Sequence, residues 1–188
     1  IFLEITAVIF GFASVWYSKK NNILVFPTGL ISTSLFVYLL FKWQLIGDMM
    51  INGYYFIMSL YGWYIWTRKV DETHHTPIRS TTKKEKRTSI IIFISTLLFV
   101  FIVYKSFDKW NNWVAYIDTI TTAIFFVGMW LMARKKIENW IYWIIGDIIS
   151  IPLYFYKGFT FTSFQYLIFT FIAIFGYLEW KKLLNKKI

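Results

Sequence analysis

The sequence predicts an all-α integral membrane protein of seven transmembrane helices, and three observations predict it. Of 188 residues, 57% are hydrophobic, 23% aromatic and only 16% charged, with a mean hydropathy of +0.52; an ordinary soluble domain carries about 25% charged residues. Apolar runs of near-spanning length recur along the whole chain. Lysine and arginine are distributed unevenly between alternate connections, as the positive-inside rule requires. One soluble core of this size could not hide so many Phe, Trp and Tyr side chains. Barrel strands are a poor alternative, because the runs lack the ten-residue dyad alternation of a membrane barrel.

The apolar runs fall at about residues 2–17, 23–41, 46–66, 89–104, 114–133, 139–157 and 161–180. The first carries a quiet stripe of Glu4, Ala7, Gly11, Ser14 and Ser18, and the second has Ser32, Thr33 and Ser34 near its midpoint. Small residues of this kind, Gly11, Ser14 and Gly128 among them, let membrane helices approach closely. In the third run Asp48, Asn52, Tyr55, Ser59 and Gly62 follow helical steps of four and three. The fourth is, with the first, the shortest, and with the second and fifth it carries the fewest aromatic residues, four each. The fifth gives Asp118, Thr122, Phe125 and Met129, and the seventh Ser163, Tyr166, Thr170 and Ala173. The sixth begins at Asn139 and sets Trp140, Trp143, Asp147, Ser150 and Tyr154 along one stripe. Trp16, Trp43, Trp66, Trp110 and Trp180, near helix ends, read as an interfacial aromatic belt.

Seven alternating spans place 16 of the 20 Lys and Arg on one side, namely after spans one, three and five and in the C-terminal tail, which includes Lys187. Lys42, Lys105, Lys109 and Lys157 remain on the other. This puts the C-terminus in the cytoplasm and the N-terminus outside. The long polar connection, 67–88, is cytoplasmic and basic, suited to anionic headgroups rather than nucleic acid. Its adjacent His74 and His75 lack further ligands at metal-site spacing and read as a solvated loop. The absence of cysteine excludes a disulfide framework and thiolate chemistry. The chain opens at Ile1 directly into an apolar span, which suggests a trimmed N-terminus.

The first three spans recur in the last three. Gly11, Lys19, Asn22 and Gly29 match Gly128, Lys136, Asn139 and Gly146 at an offset of 117 residues, while Gly62 and Trp66 match Gly176 and Trp180 at 114. The single domain therefore divides into a first three-helix unit (1–66), a cytoplasmic loop (67–88), a linker helix (89–104) and a second unit (114–184). One inverting helix between two odd-numbered units makes the repeats parallel, with a path between two rocking halves. Such 3+1+3 repeats resemble the SWEET sugar transporters.

The polar stripes carry hydroxyls, amides, carboxylates and aromatic faces, and no histidine falls within a span. Haem ligation by His, zinc hydrolysis and a Ser-His-Asp triad are thereby excluded, and an enzyme is disfavoured. The inventory suits binding: aromatic faces stack on a flat ring, hydroxyls and amides pair with sugar hydroxyls, and a carboxylate favours a cation. Asp147 sits near mid-membrane, where a carboxylate is costly unless a cavity needs it. Asp48 and Asp118 lie a turn inside their spans, close to water.

Residues 134–143, reading RKKIENWIYW, followed by GDIISIPLYFYKG, and YGWYIW at 61–66 after a span beginning with Gln44, resemble the PnuC family of nicotinamide riboside transporters. The resemblance extends over essentially the whole chain. It implies a SWEET-like fold, a bacterial inner-membrane location and a homotrimer without cofactor or metal. It further implies vitamin B3 uptake by facilitated diffusion, with cytoplasmic phosphorylation trapping the substrate; related members carry thiamine or deoxynucleosides. On this reading the pyridinium ring stacks on Trp143, Tyr55 or Tyr154, while Gln44, Asn52, Asn139 and Thr122 meet the carboxamide and ribose. Asp147 balances the charge, and Ser59, Asp118, Ser150 and Tyr166 complete the site.

Two alternatives stand beside a passive uniporter. One is coupling to protons or sodium through Asp48, Asp118 and Asp147. The other is a membrane enzyme or receptor that binds without passing its ligand. No G-x-x-x-x-G-K-[ST] loop is present, which argues against direct ATP drive.

Overall fold

The computed structural model describes residues 2–72, 74–110 and 112–186. Ile1, at the head of the first unit, and Lys187 of the basic tail lie outside the described residues. The chain is all helical: α1 (Phe2–Lys19), α2 (Val25–Lys42), α3 (Ile46–Thr67), α4 (Lys83–Ser106), α5 (Trp113–Ala133), α6 (Asn139–Tyr156) and α7 (Thr160–Asn185). By length and composition α2, α4, α5 and α7 are apolar enough to cross a membrane. The shortfall in α1, α3 and α6 has a physical source, for these helices carry Glu4, Asp48 with Asn52, and Asn139 with Asp147 amid several Trp and Tyr.

Helix α4 is not the shortest, contrary to expectation. It spans 24 residues because Thr82 and Glu85 form a reciprocal capping box that starts the helix within the basic segment. The apolar pattern alone locates where the lipid-compatible part begins, not where helical hydrogen bonding begins.

Helices α1, α2 and α3 pack in sequence, as do α5, α6 and α7. Helix α4 lies on α5 and touches α3 only lightly. Between the two groups the packing is reciprocal: α3 lies on α5, and α7 on α1.

The two groups share one register. α1 ends at Lys19 and α5 at Ala133, α2 runs Val25–Lys42 and α6 Asn139–Tyr156, and α3 and α7 start at Ile46 and Thr160, all 114 residues apart. The left-handed residues that close the turns, Asn21 and Gln44, recur at the same offset as Lys135 and Gly158. The 117-residue offset expected for the first two helices is therefore corrected to 114. Glycine identity misled the comparison because each glycine is placed by its own neighbour: Gly29 lies against Ser14, Gly146 against the Phe125 ring.

Side chains repeat in the same register. Trp66 Nε1 donates to the Met132 carbonyl at 3.0 Å, and Trp180 Nε1 donates to the Ser18 carbonyl at 2.9 Å. Phe26 meets Trp66 edge-on at 5.0 Å, and Trp140 meets Trp180 edge-on at 5.6 Å. Gly62 and Gly176 give the Phe26 and Trp140 rings room to approach. These aromatics, with Ile78 and Ile137, form a buried cluster at the end where most basic residues gather. Over it passes a strap, residues 74–82, tied to the α5–α6 turn. Arg79 N–H donates to the Lys135 carbonyl at 3.1 Å, and Ile137 N–H to the Arg79 carbonyl at 3.0 Å.

Candidate substrate cavity

A cavity of about 280 Å³ lies between α1–α3 and α5–α7, and α4 contributes nothing to it. This is near the lower end of the roughly 300–1,000 Å³ range of small-molecule sites.

Its two walls differ in chemistry. From α1, α2 and α3 come Gly11, Ser14, Ser18, Phe26, Gly29, Ser32, Thr33, Tyr55 and Ser59. The hydroxyls are held by the backbone: Ser14 donates to the Val25 carbonyl and Ser32 to the Ala7 carbonyl, each at 2.7 Å, and Ser59 to the Tyr55 carbonyl at 2.8 Å. Their donor capacity is used, so their oxygens face a ligand as acceptors.

From α5, α6 and α7 come Phe125, Met129, Met132, Trp140, Trp143, Asp147, Tyr166, Phe169 and Ala173. Phe125 stacks with Trp143 at 5.4 Å and with Tyr166 at 6.1 Å, giving a tier of nearly parallel rings. Asp147 is only 4% exposed, and among the described residues no basic side chain pairs with it. The Trp140 indole N–H is buried without a protein partner. Flat rings and a carboxylate without a basic partner make this wall chemically suited to a planar cation.

Of the expected site residues, Tyr55, Ser59, Trp143, Asp147 and Tyr166 line this cavity. The other seven do not line it, and each has an evident structural place. Gln44 is exposed in the α2–α3 turn with φ of 59°. Asn139 is buried at the α6 N-terminus, its Nδ2 donating to the Lys136 carbonyl at 2.6 Å. Ser150 is buried on α6 without a hydrogen-bond partner.

The remaining four gather beyond the cavity, away from the basic end. Asp118 accepts from Lys157 at 2.6 and 2.9 Å, Thr122 donates to the Asp118 carbonyl at 2.7 Å, and Asn52 donates to the Asp48 carbonyl at 3.1 Å. Tyr154 lies under Lys157 Nζ at 4.8 Å and packs on Tyr166 at 5.1 Å. They form a polar rim joined to the cavity through Tyr166. Asp118 is thus an ion-pair partner rather than a free counter-charge.

On the first wall Tyr55 and Ser59 are expected, whereas Ser14, Ser18, Ser32 and Thr33 line the cavity without being among the expected site residues. Ser14 and Ser18 lie on a stripe assigned to helix packing, a role their hydrogen bonds also serve. The overlooked signal was the Ser and Thr content of α2 opposite the aromatic stripe of α6.

The model of the nicotinamide mononucleotide transporter family matches residues 1–182. The nicotinamide riboside transporter PnuC of Escherichia coli is 24% identical over 205 residues, covering 95% of this chain and 84% of that one. The riboflavin/roseoflavin transporter RibM of Streptomyces davaonensis is 26% identical over 197 residues, covering 92% and 88%. Among solved structures, the crystal structure of the vitamin B3 transporter PnuC superposes with a TM-score of 0.71 at 22% identity, covering 98% of this chain and 83% of that chain.

Proposed function

Because the chain belongs to the nicotinamide mononucleotide transporter family, and is a membrane transporter rather than an enzyme, we propose that it carries nicotinamide riboside. Passage is by facilitated diffusion with alternating access, and phosphorylation of the ribose in the cytoplasm traps the product. One observation carries the substrate: the partnerless Asp147 beside the Phe125, Trp143 and Tyr166 rings. A pyridinium ring satisfies both, and its carboxamide and ribose hydroxyls find partners among Ser32, Thr33 and Ser59.

The scaffold in this reading is a SWEET-like pair of parallel three-helix repeats with α4 as linker. The common 114-residue register and the reciprocal packing of α3 on α5 and α7 on α1 support it. The basic end is cytoplasmic, with the N-terminus outside, in the inner membrane of a bacterium. The assembly is a homotrimer, to be checked by mass measurement in detergent.

RibM, at similar identity, makes riboflavin the competing substrate. Its flavin is uncharged, so it can hydrogen-bond to Asp147 but gains no charge pairing from it. Proteoliposome uptake of labelled nicotinamide riboside decides between them. Saturable uptake, displaced by unlabelled riboside more strongly than by riboflavin and indifferent to proton and sodium gradients, is expected. Preference for riboflavin would overturn the substrate, and a response to either gradient would overturn facilitated diffusion.

A further inference from the structure

The strap builds a second cavity, of about 320 Å³, at the basic end and apart from the first. Five cationic residues line it: Arg68 and Lys69 after α3, Arg79 on the strap, and Arg134 and Lys136 from the α5–α6 turn. Among the described residues one carboxylate pairs with them. Glu85 pairs with Arg134 at 3.1 Å and with Lys136 at 3.1 Å. Among the described residues no carboxylate lies within ion-pair distance of Arg68, Lys69 or Arg79.

The positive-inside rule asks for basic residues on this face but not for this arrangement. These five instead share one concavity: Arg68, Lys69 and Arg79 are exposed on it, while the Lys136 side chain, paired with Glu85, is only 9% exposed. Their backbones are held as well. Thr76 N–H donates to the Arg68 carbonyl at 3.1 Å, Val70 N–H to the His74 carbonyl at 2.9 Å, and Arg79 is bonded through both its N–H and its carbonyl to the α5–α6 turn. The chain thus holds like charges around a space that an anion would stabilise.

We propose that this pocket binds a phosphate group. Guanidinium forks from Arg68 and Arg79 match the geometry of phosphate oxygens, with Lys69 and Lys136 as point charges. The local excess of positive charge suits a dianion better than a single carboxylate. A bound phosphate would bridge the strap to the α5–α6 turn, and so hold α3 and α4 against the second group of helices. The group can belong to a soluble phosphate monoester or to an anionic lipid headgroup; the chemistry of recognition is common to both.

The test is a titration of the full-length purified protein at constant ionic strength, following its thermal midpoint. Inorganic phosphate and nicotinamide mononucleotide are added in detergent, with chloride as reference. In a separate arm the protein is placed in nanodiscs of phosphatidylglycerol or of phosphatidylcholine. A saturable rise with phosphate or the mononucleotide in detergent identifies a soluble ligand. A rise confined to phosphatidylglycerol identifies a headgroup. In either case Arg68→Gln with Arg79→Gln should weaken the response at least tenfold. Lys69→Gln, which touches no ion pair in the fold, should weaken it severalfold, and it serves if the double variant does not fold. No saturable response in any arm, or a response that these variants leave unchanged, overturns the proposal. Binding of nicotinamide riboside, measured in parallel, reports on the central cavity alone, so the two can fail separately.

Discussion

The two walls of the central cavity occupy equivalent places in the chain and differ in part of their chemistry. At the 114-residue register some lining pairs are alike, Val15 with Met129, Phe26 with Trp140 and Tyr55 with Phe169, while others differ: Gly11 with Phe125, Ser18 with Met132, Gly29 with Trp143, Thr33 with Asp147, and Ser59 with Ala173. Where one wall has a glycine the other has a large ring. Where one has a hydroxyl the other has a carboxylate, a thioether or a methyl group. The parts that set helix length, turn conformation and the glycine contacts with aromatic rings are shared instead. A scaffold can thus repeat while its cavity lining does not: bulk supplied by one half fills space left by the other, and the cavity presents an asymmetric surface.

The comparison is broken first at the shared parts, where effects should be large and alike. A methyl group at Gly62 would strike the Phe26 ring, and one at Gly176 would come within 2.7 Å of the Trp140 ring, whereas Gly53 faces open space. Overpacking of this kind costs about 1–3 kcal/mol. Gly62→Ala and Gly176→Ala should each lower the thermal midpoint by several degrees, and Gly53→Ala should leave it nearly unchanged. Divergent behaviour of the first two would show that the repeat is geometric only.

At the divergent positions effects should be unequal. Trp143→Ala removes the end of the ring tier and should weaken nicotinamide riboside binding about 10- to 100-fold, the range of about 1–3 kcal/mol for loss of one stacked aromatic partner. Asp147→Asn keeps shape and removes charge, so it should weaken binding about tenfold, or about 1.4 kcal/mol, and should weaken riboflavin binding less. Its counterpart Thr33→Val should change the riboside affinity by only about twofold, in line with a hydrogen bond of about 0.5 kcal/mol net. Calorimetric titration of the three variants measures all of this. A larger loss at Thr33 than at Asp147 would reverse the assignment of the walls.

Much of this organisation is legible in the sequence, and the remainder is lost for definable reasons. Helix number follows from apolar runs of near-spanning length, and Trp143, Asp147 and Tyr166 emerge because aromatic and carboxylate side chains stand out in such runs. Asp118 stood out equally, but its partner Lys157 lies on another helix, and only the fold reveals the ion pair that occupies it. Asn139 carries a polar signature that belongs to the α5–α6 turn. Ser14 and Ser32 were hidden by the dual use of small hydroxyl residues, which pack helices and line cavities with the same atoms. The register of the repeat depended on contacts between distant residues, such as Trp66 with Met132, for which local periodicity holds no information.

The smallest expected effect tests how the two groups of helices are joined. Trp66→Phe and Trp180→Phe each keep a ring and remove one N–H donor, leaving the Met132 or the Ser18 carbonyl without that bond. Each should cost about 1 kcal/mol, the usual net value of a hydrogen bond. The two indoles lie 5.8 Å apart, in contact at the basic end where both cross-group bonds are made. Residues in contact couple by about 0.5–3 kcal/mol, whereas distant sites simply add. The double variant should therefore depart from the sum of the single ones by at least about 0.5 kcal/mol in thermal or denaturant unfolding. In the proposed alternating access, an opening at this end would break both bonds, so the two single variants should also shift uptake rates in the same direction. Strict additivity would mean two independent fastenings, and opposite shifts in rate would mean that the reciprocal bonds do not act together in alternating access.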